Sequence, residues 1–228
     1  MFENTMTMTY RTASEVNAAM GRVYMHMSLA VATSMLVSLL VASSPGAMAF
    51  FFTGWMKWVT IFLPLIAVFV IGMALNADPP RPVAVAMLHG FAALMGLSFA
   101  TIFAVFTTGS IVSAFMGGAI LFGVMSLYGY FTKNNLDSLG QFMFVGLVAV
   151  VIASVVNIFI GSSVFAMVIS AVAILIFLGL TAYDTQKIRE EVSLTSSDAA
   201  EVRGALMLYL DFINLFISLL QLFGDKKE

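Results

Sequence analysis

The sequence predicts an all-α integral membrane protein, a seven-transmembrane-helix bundle, and three observations predict it. Of its 228 residues 61% are hydrophobic and only 10% charged, whereas a soluble domain is about 25% charged. That much apolar sequence needs lipid to cover it. Seven apolar runs, each near the ~20 residues that cross a bilayer, follow one another along the chain. The breaks between them are rich in Pro, Gly, Ser and charge, and lysine and arginine are unevenly shared among those breaks.

Residues 1–22 are polar and read as a cytoplasmic N-terminal tail. They hold no short apolar run followed by a small-residue cleavage site, so no removable signal peptide is expected. The transmembrane domain is residues 23–224. Its first span is 23–41, stopped by the turn signal Ser43-Ser44-Pro45-Gly46. The second is 56–75, with Trp55 and Trp58 as interfacial anchors. Pro79, Pro80 and Pro82 break the chain, because proline cannot continue a helix interior. The third span is 83–106, followed by a tight turn at Thr107-Thr108-Gly109-Ser110. The fourth is 111–131, the fifth 139–160 and the sixth 164–183, with polar residues 132–137 and Gly161-Ser162-Ser163 as connections. A long polar loop is expected over 185–203, where Asp198 and Glu201 are spaced as a cap for the last span. The seventh span is 205–223, and 225–228 are a C-terminal tail.

With seven spans, Arg11, Arg22, Arg81, Lys133, Lys187, Arg189 and Arg203 fall on the N-terminal side, and Lys57, Lys226 and Lys227 on the other. This bias puts the N-terminus in the cytoplasm. Were the last segment to dip in and return, Lys226 and Lys227 would join the cytoplasmic side and strengthen the bias. Its length, and the lack of a mid-helix Gly or Pro at which to turn back, favour a full span. Gly90, Gly96, Gly117, Gly118, Gly123, Gly129 and Gly146 lie inside spans, where small residues let helices approach closely.

The net charge of −2 and the lack of a basic patch give no support for a nucleic-acid partner. The chain has no cysteine, which excludes disulfides, thiolate nucleophiles and Cys-based metal sites. His26 and His89 are far apart in sequence without HExxH spacing, so they read as packing or interface residues. Tyr128 and Tyr130 read as interfacial belt, and Ser154 and Asn157 as interhelical glue.

Within the last span, Asp211, Asn214, Ser218 and Gln221 step by three, four and three, which lines them up on one helical stripe. A carboxylate in hydrocarbon costs at least ~2.5 kcal/mol, so this face turns to the bundle interior or to a wet cavity. Asp184 closes the preceding apolar run. If the two spans are antiparallel neighbours, both acids lie within about 10 Å of one membrane face and can meet. Carboxylates in contact tend to share one proton and titrate as a pair. Such a site changes charge with pH or exchanges its proton for a hard cation. Calcium suits oxygen ligands, although Asp184 and Asp211 alone fall short of the six to eight it takes.

Two segments, LGLTAYDTQKI (178–188) and LYLDFINLFISLLQLFG (208–224), resemble the Bax inhibitor family (the transmembrane BAX inhibitor motif family), bacterial branch. The resemblance continues through GFAALMGLSFATIF (90–103) and MSLYGYFTKNNLDSLG (125–140). It implies a seven-helix bundle whose C-terminal helix is central and wrapped by the other six. It also implies a proton-sensing pair, here Asp184 and Asp211, that controls a calcium leak. No enzyme activity and no resident cofactor are implied, and the location is the cell (inner) membrane if the source is bacterial. Some bacterial members carry an arginine at the end of the second span that latches the acids; here MALNADPPRP puts Asn76 there, with Arg81 the nearest cation.

Two other functions compete with the leak. Bacterial relatives are associated with restraining a membrane-bound AAA protease, which needs no conduction and would rest on the polar tail or on residues 185–203. An intramembrane aspartyl protease would need Gly-x-Gly-Asp, where this chain has Leu208-Tyr209-Leu210-Asp211.

Overall fold

The computed structural model describes residues 11–227, all of whose regular elements are helices. They are α1 (Ala13–Ala42), α2 (Pro45–Phe52), α3 (Met56–Asn76), α4 (Arg81–Val105), α5 (Thr108–Phe131), α6 (Asp137–Ile160), α7 (Ser163–Leu194) and α8 (Asp198–Phe223). Seven of them, all but α2, are long and apolar enough to cross a membrane.

Several boundaries differ from the sequence reading; α5, for one, begins at Thr108 inside the expected turn 107–110, with Thr107 as its cap. α1 begins at Ala13, ten residues early, within the expected 1–22 tail; residues 1–10 lie outside the described part. Thr12 and Glu15 start it with a reciprocal capping box, and Val16, Ala19, Met20 and Val23 give its first turns a buried face. α4 starts at Arg81 because Pro82 is tolerated in a first turn, where its missing N–H has no helical partner in any case. The largest correction concerns the expected polar loop over 185–203. α7 runs on to Leu194, and the connection is only Thr195–Ser197, residues 195–197. Thr185, Gln186, Ile188 and Val192 are buried at helical spacing, so this stretch is amphipathic helix that hydropathy alone misses. The cap of α8 is Ser197, whose side chain accepts from Ala200 N; Asp198 and Glu201 lie in the first turn. The turn signal at 43–46 also holds a helix, α2, with Ser44 as its cap.

α8 lies at the centre. Of its most apolar window 61% is buried, against 17% for α3 and none for α6. It packs on α1, α3, α4, α5 and α7. The expectation that all six other spans wrap it needs correcting: α6 leans on α7 and stands outside, with Phe142, Phe144, Ile158 and Phe159 exposed. Glycines set the closest approaches. Gly129 of α5 lies directly on the Ala182 carbonyl of α7, Gly96 on Ser34 of α1, and Gly118 and Gly146 on α8 and α7 side chains. A Cβ added at Gly90, Gly117 or Gly123 would meet no other helix within 4 Å, so these three do not mark close approaches. Gly161 ends α6 in the left-handed region at φ +69°, where glycine carries no steric cost.

α8 crosses from one end of the bundle to the other. At its start Glu201 meets Arg11 and Arg22. Beyond its end the chain pairs with the α4–α5 turn: Thr107 N donates to Asp225 O at 3.0 Å and Lys227 N to Val105 O at 2.8 Å. α8 does not turn back on itself: it is one unbroken helix from Asp198 to Phe223. Arg11, Arg22, Arg81, Lys133, Lys187, Arg189 and Arg203 all belong to the end where α1 and α8 begin, and the positive-inside rule assigns that end to the cytoplasm.

Candidate functional site

The turn at 195–197 folds α7 and α8 into an antiparallel pair and brings Asp184 and Asp211 face to face. The two acids are near neighbours across the α7–α8 contact. Asp184 is ten residues before Leu194 and Asp211 thirteen after Asp198, so both lie ~15–20 Å from the hairpin tip.

Asp211 is 4% exposed and Asp184 half-buried. Neither acid makes a salt bridge among the described residues, and Asp211 Oδ2 has no donor there. A carboxyl facing a carboxyl gains a donor only when one of them is protonated, and two full charges in contact away from water repel strongly. The surroundings hold the pair in place. Ala182 is pressed against Gly129, Tyr183 lies over Gly140 of α6, and Thr185 donates to Ser126 of α5 at 3.3 Å. On α8, Tyr209 is fully buried, edge-on to Phe91 of α4, and shares a 2.7 Å hydrogen bond with Ser34 of α1. Leu208 and Leu210 stand where a Gly-x-Gly-Asp signature has its glycines, so side chains cover the backbone just before Asp211.

The rest of the expected stripe does not join the pair. Asn214 donates to Leu210 O at 2.8 Å and Ser218 to Asn214 O at 2.7 Å, so both side chains turn back onto their own helix. Gln221 is exposed and accepts from Ser170 of α7 at 3.2 Å. Ser154, Asn157, Ser170 and Gln221 instead line a cleft of ≈ 700 Å³ at the far end, beside Lys226. No cluster of three or more His, Asp or Glu able to hold a metal occurs among the described residues. Two carboxylates fall short of the six to eight oxygen ligands that a calcium cage takes.

Asn76 lines a cleft at the end of α3 with Asp78, Glu191 and Arg203. Arg203 bonds Leu75 O at 3.2 Å and pairs with Glu191. Arg81 pairs with Asp198 at 3.6 Å.

The sequence reading missed a second buried acid. Glu201, 2% exposed, takes two hydrogen bonds of 2.6 Å from Arg22 Nε and Nη2, and one of 3.3 Å from Arg11. Around it a charged cap ties the chain together: Lys187 bridges Asp137 at 2.7 Å and Glu190 at 2.9 Å, and Gln186 pins the α5–α6 loop through Leu136 N and Asn134 O. The partners of Glu201 are about 180 residues away, and no local spacing announces them.

The chain matches the protein-family model described as "Inhibitor of apoptosis-promoting Bax1" over residues 16–228. It is 35% identical over 214 residues to the inner membrane protein YbhL of Escherichia coli K12, covering 91% of this chain and 92% of that one. An uncharacterized protein of Deinococcus radiodurans is 35% identical over 227 residues, 96% of this chain and 94% of the relative. An uncharacterized membrane protein of Streptococcus pyogenes serotype M3 is 39% identical over 165 residues, 71% of each.

Proposed function

Because the chain belongs to the Bax inhibitor family, we propose that it is a pH-sensitive cation leak in a bacterial inner membrane, with calcium the leading ion. Asp184 and Asp211 control it. The observation that carries this reading is a buried carboxyl–carboxyl contact with no cationic partner among the described residues. A pair in that setting exchanges a proton with the medium as a unit. Each exchange changes the charge between the two helices that dominate the bundle centre, and helix positions respond to a charge that low-dielectric surroundings do not screen. Intramembrane ionisable groups mark ion and proton pathways by default.

The test is calcium flux into proteoliposomes from about pH 5 to about pH 8. Wild type changes several-fold across that range, while Asp184→Asn and Asp211→Asn give flat profiles. Wild type and Asp211→Asn behaving alike removes the reading.

The second reading is a non-conducting regulator that restrains a membrane-bound AAA protease. It draws support from the cytoplasmic cap, where Asn17, Lys133, Asn135, Arg189 and Glu190 line a polar cleft of ≈ 430 Å³. It predicts that substitutions in this cleft alter protease turnover while both Asp→Asn variants leave it unchanged.

A further inference from the structure

The ≈ 700 Å³ cleft at the far end of the bundle is enclosed by the ends of α4, α6 and α8, the start of α7 and the C-terminal tail. α6 packs on α7 and stands apart from α4 and α8, which leaves the cleft between them with α7 as its floor. Met167, 53% exposed, stands at its edge, on the surface that a bilayer covers. The tail is pinned across this end of the bundle. Phe106 and Lys226 pair, and Lys227 Nζ donates to Phe103 O at 2.7 Å.

The polar groups of the cleft are Ser154 and Asn157 of α6, Ser163 and Ser170 of α7, Gln221 of α8 and Lys226 of the tail; none of its described lining is acidic. The oxygens of both amides already have donors. Ser162 N donates to Asn157 Oδ1 and the Ser170 hydroxyl to Gln221 Oε1, each at 3.2 Å. Each amide is left with an NH2 group that has no partner among the described residues. Lys226 makes no ion pair there. The acid beside it, Asp225, lines a different cleft with Ser110 and Ser113 of α5. α7 begins at this cleft, so the positive end of a 32-residue helix adds to the ammonium charge. Converging donors and positive charge fit an anionic group rich in acceptor oxygens and turn away a cation.

We propose that this cleft binds the headgroup of an outer-leaflet phospholipid, Lys226 taking a phosphate oxygen and Asn157 and Gln221 the ester oxygens beneath it. Lys226 lies just past the Gly224 cap, at the level where the spans end. Asn157 and Gln221 are two to three residues inside their helix ends, ~3–5 Å deeper. A phospholipid carries its acceptors in the same order, phosphate first and esters below, and the bilayer brings it to the open side of the cleft. Gln221 is ten residues along α8 from Asp211, ~15 Å, so this site stands whether or not the acid pair controls a leak.

The experiment is native mass spectrometry of the full chain in detergent micelles, loaded with phosphatidylglycerol or with diacylglycerol of the same chains, which has no phosphate. Wild type retains one phosphatidylglycerol and holds diacylglycerol about tenfold less well. Lys226→Ala and Asn157→Ala each lower retention of phosphatidylglycerol about three- to tenfold. Lys227→Ala removes the same charge one residue away, from a side chain turned to Phe103 O, and retains the lipid as wild type does. Equal retention of the two lipids by wild type overturns the proposal, and that comparison needs no variant to fold. Equal losses from Lys226→Ala and Lys227→Ala overturn it too, since they reduce the effect to surface charge. Displacement of phosphatidylglycerol by inorganic phosphate also overturns it, because the ligand is then a soluble anion.

Discussion

Two acids are buried on α8 ten residues apart, and they are held in opposite ways. Glu201 is gripped by two guanidinium groups, in a bidentate arrangement with Arg22. Asp211 faces only another carboxyl. A carboxylate gripped by cations is a fixed charge that ties α1 and the chain before it to α8. A carboxyl facing a carboxyl has no fixed counter-charge, so its state depends on a proton from outside. The same helix thus carries a fastener at its cytoplasmic end and, in its interior, one acid of the pair proposed to respond to pH.

The strongest way to break this contrast is to remove the fastener. Glu201→Ala strands two arginines in the cap and costs ~3–5 kcal/mol of stability, the range for breaking one side of a buried ion pair. Unfolding in a detergent titration measures it. Flux that keeps the wild-type pH profile in the surviving folded fraction confirms that the two acids have separate roles.

A smaller loss comes from Gly140→Ala. A methyl group there runs into the Tyr183 ring, next to Asp184. Overpacking of this kind costs ~1–3 kcal/mol. Unlike Glu201→Ala, it also displaces one member of the pair, so the pH profile of flux shifts along with stability.

Asp211→Asn reverses the pattern of Glu201→Ala. An amide of the same shape can donate to Asp184, so stability stays within about 1 kcal/mol of wild type. The pH dependence of flux is what disappears. A large stability loss from Asp211→Asn would make this acid a second fastener and end the contrast.

The contrast was half legible in the sequence. The spans could be read because each is a run of apolar residues near bilayer length, and Asp211 stood out because it interrupts such a run. Glu201 did not stand out: it sits among polar residues, and its partners Arg11 and Arg22 are brought to it only by the folded bundle. The continuation of α7 past Tyr183 was hidden for a related reason. Its polar face masks Ile188 and Val192, which pack inward against the start of α8, Gly204 receiving Ile188. α2 is apolar but only eight residues long, too short for a span and easily read as loop. The outer place of α6 was hidden too, because its most apolar window is no more hydropathic than that of α7, 44% of which is buried, so apolarity alone does not part a lipid-bathed helix from an inner one.

The smallest expected effect is also the sharpest test of whether the acid pair stands without a cation. Arg81 is the nearest cation in sequence to Asn76, the position to which the family resemblance assigns a latching arginine. Here it is spent on Asp198 at 3.6 Å, with the two side chains 43% and 48% exposed. An exposed pair of that length contributes ~0–1 kcal/mol. Arg81→Ala is therefore expected to leave stability nearly unchanged. The same substitution leaves the pH profile of calcium flux where it was, because Asp198 is thirteen residues up α8 from Asp211, ~20 Å along the axis. If Arg81 swings to the acids in a working state, removing it moves that profile even though the resting pair with Asp198 is weak. A moved profile would mean that both buried acids on α8 depend on arginine, and that they differ in when the cation arrives rather than in whether it does.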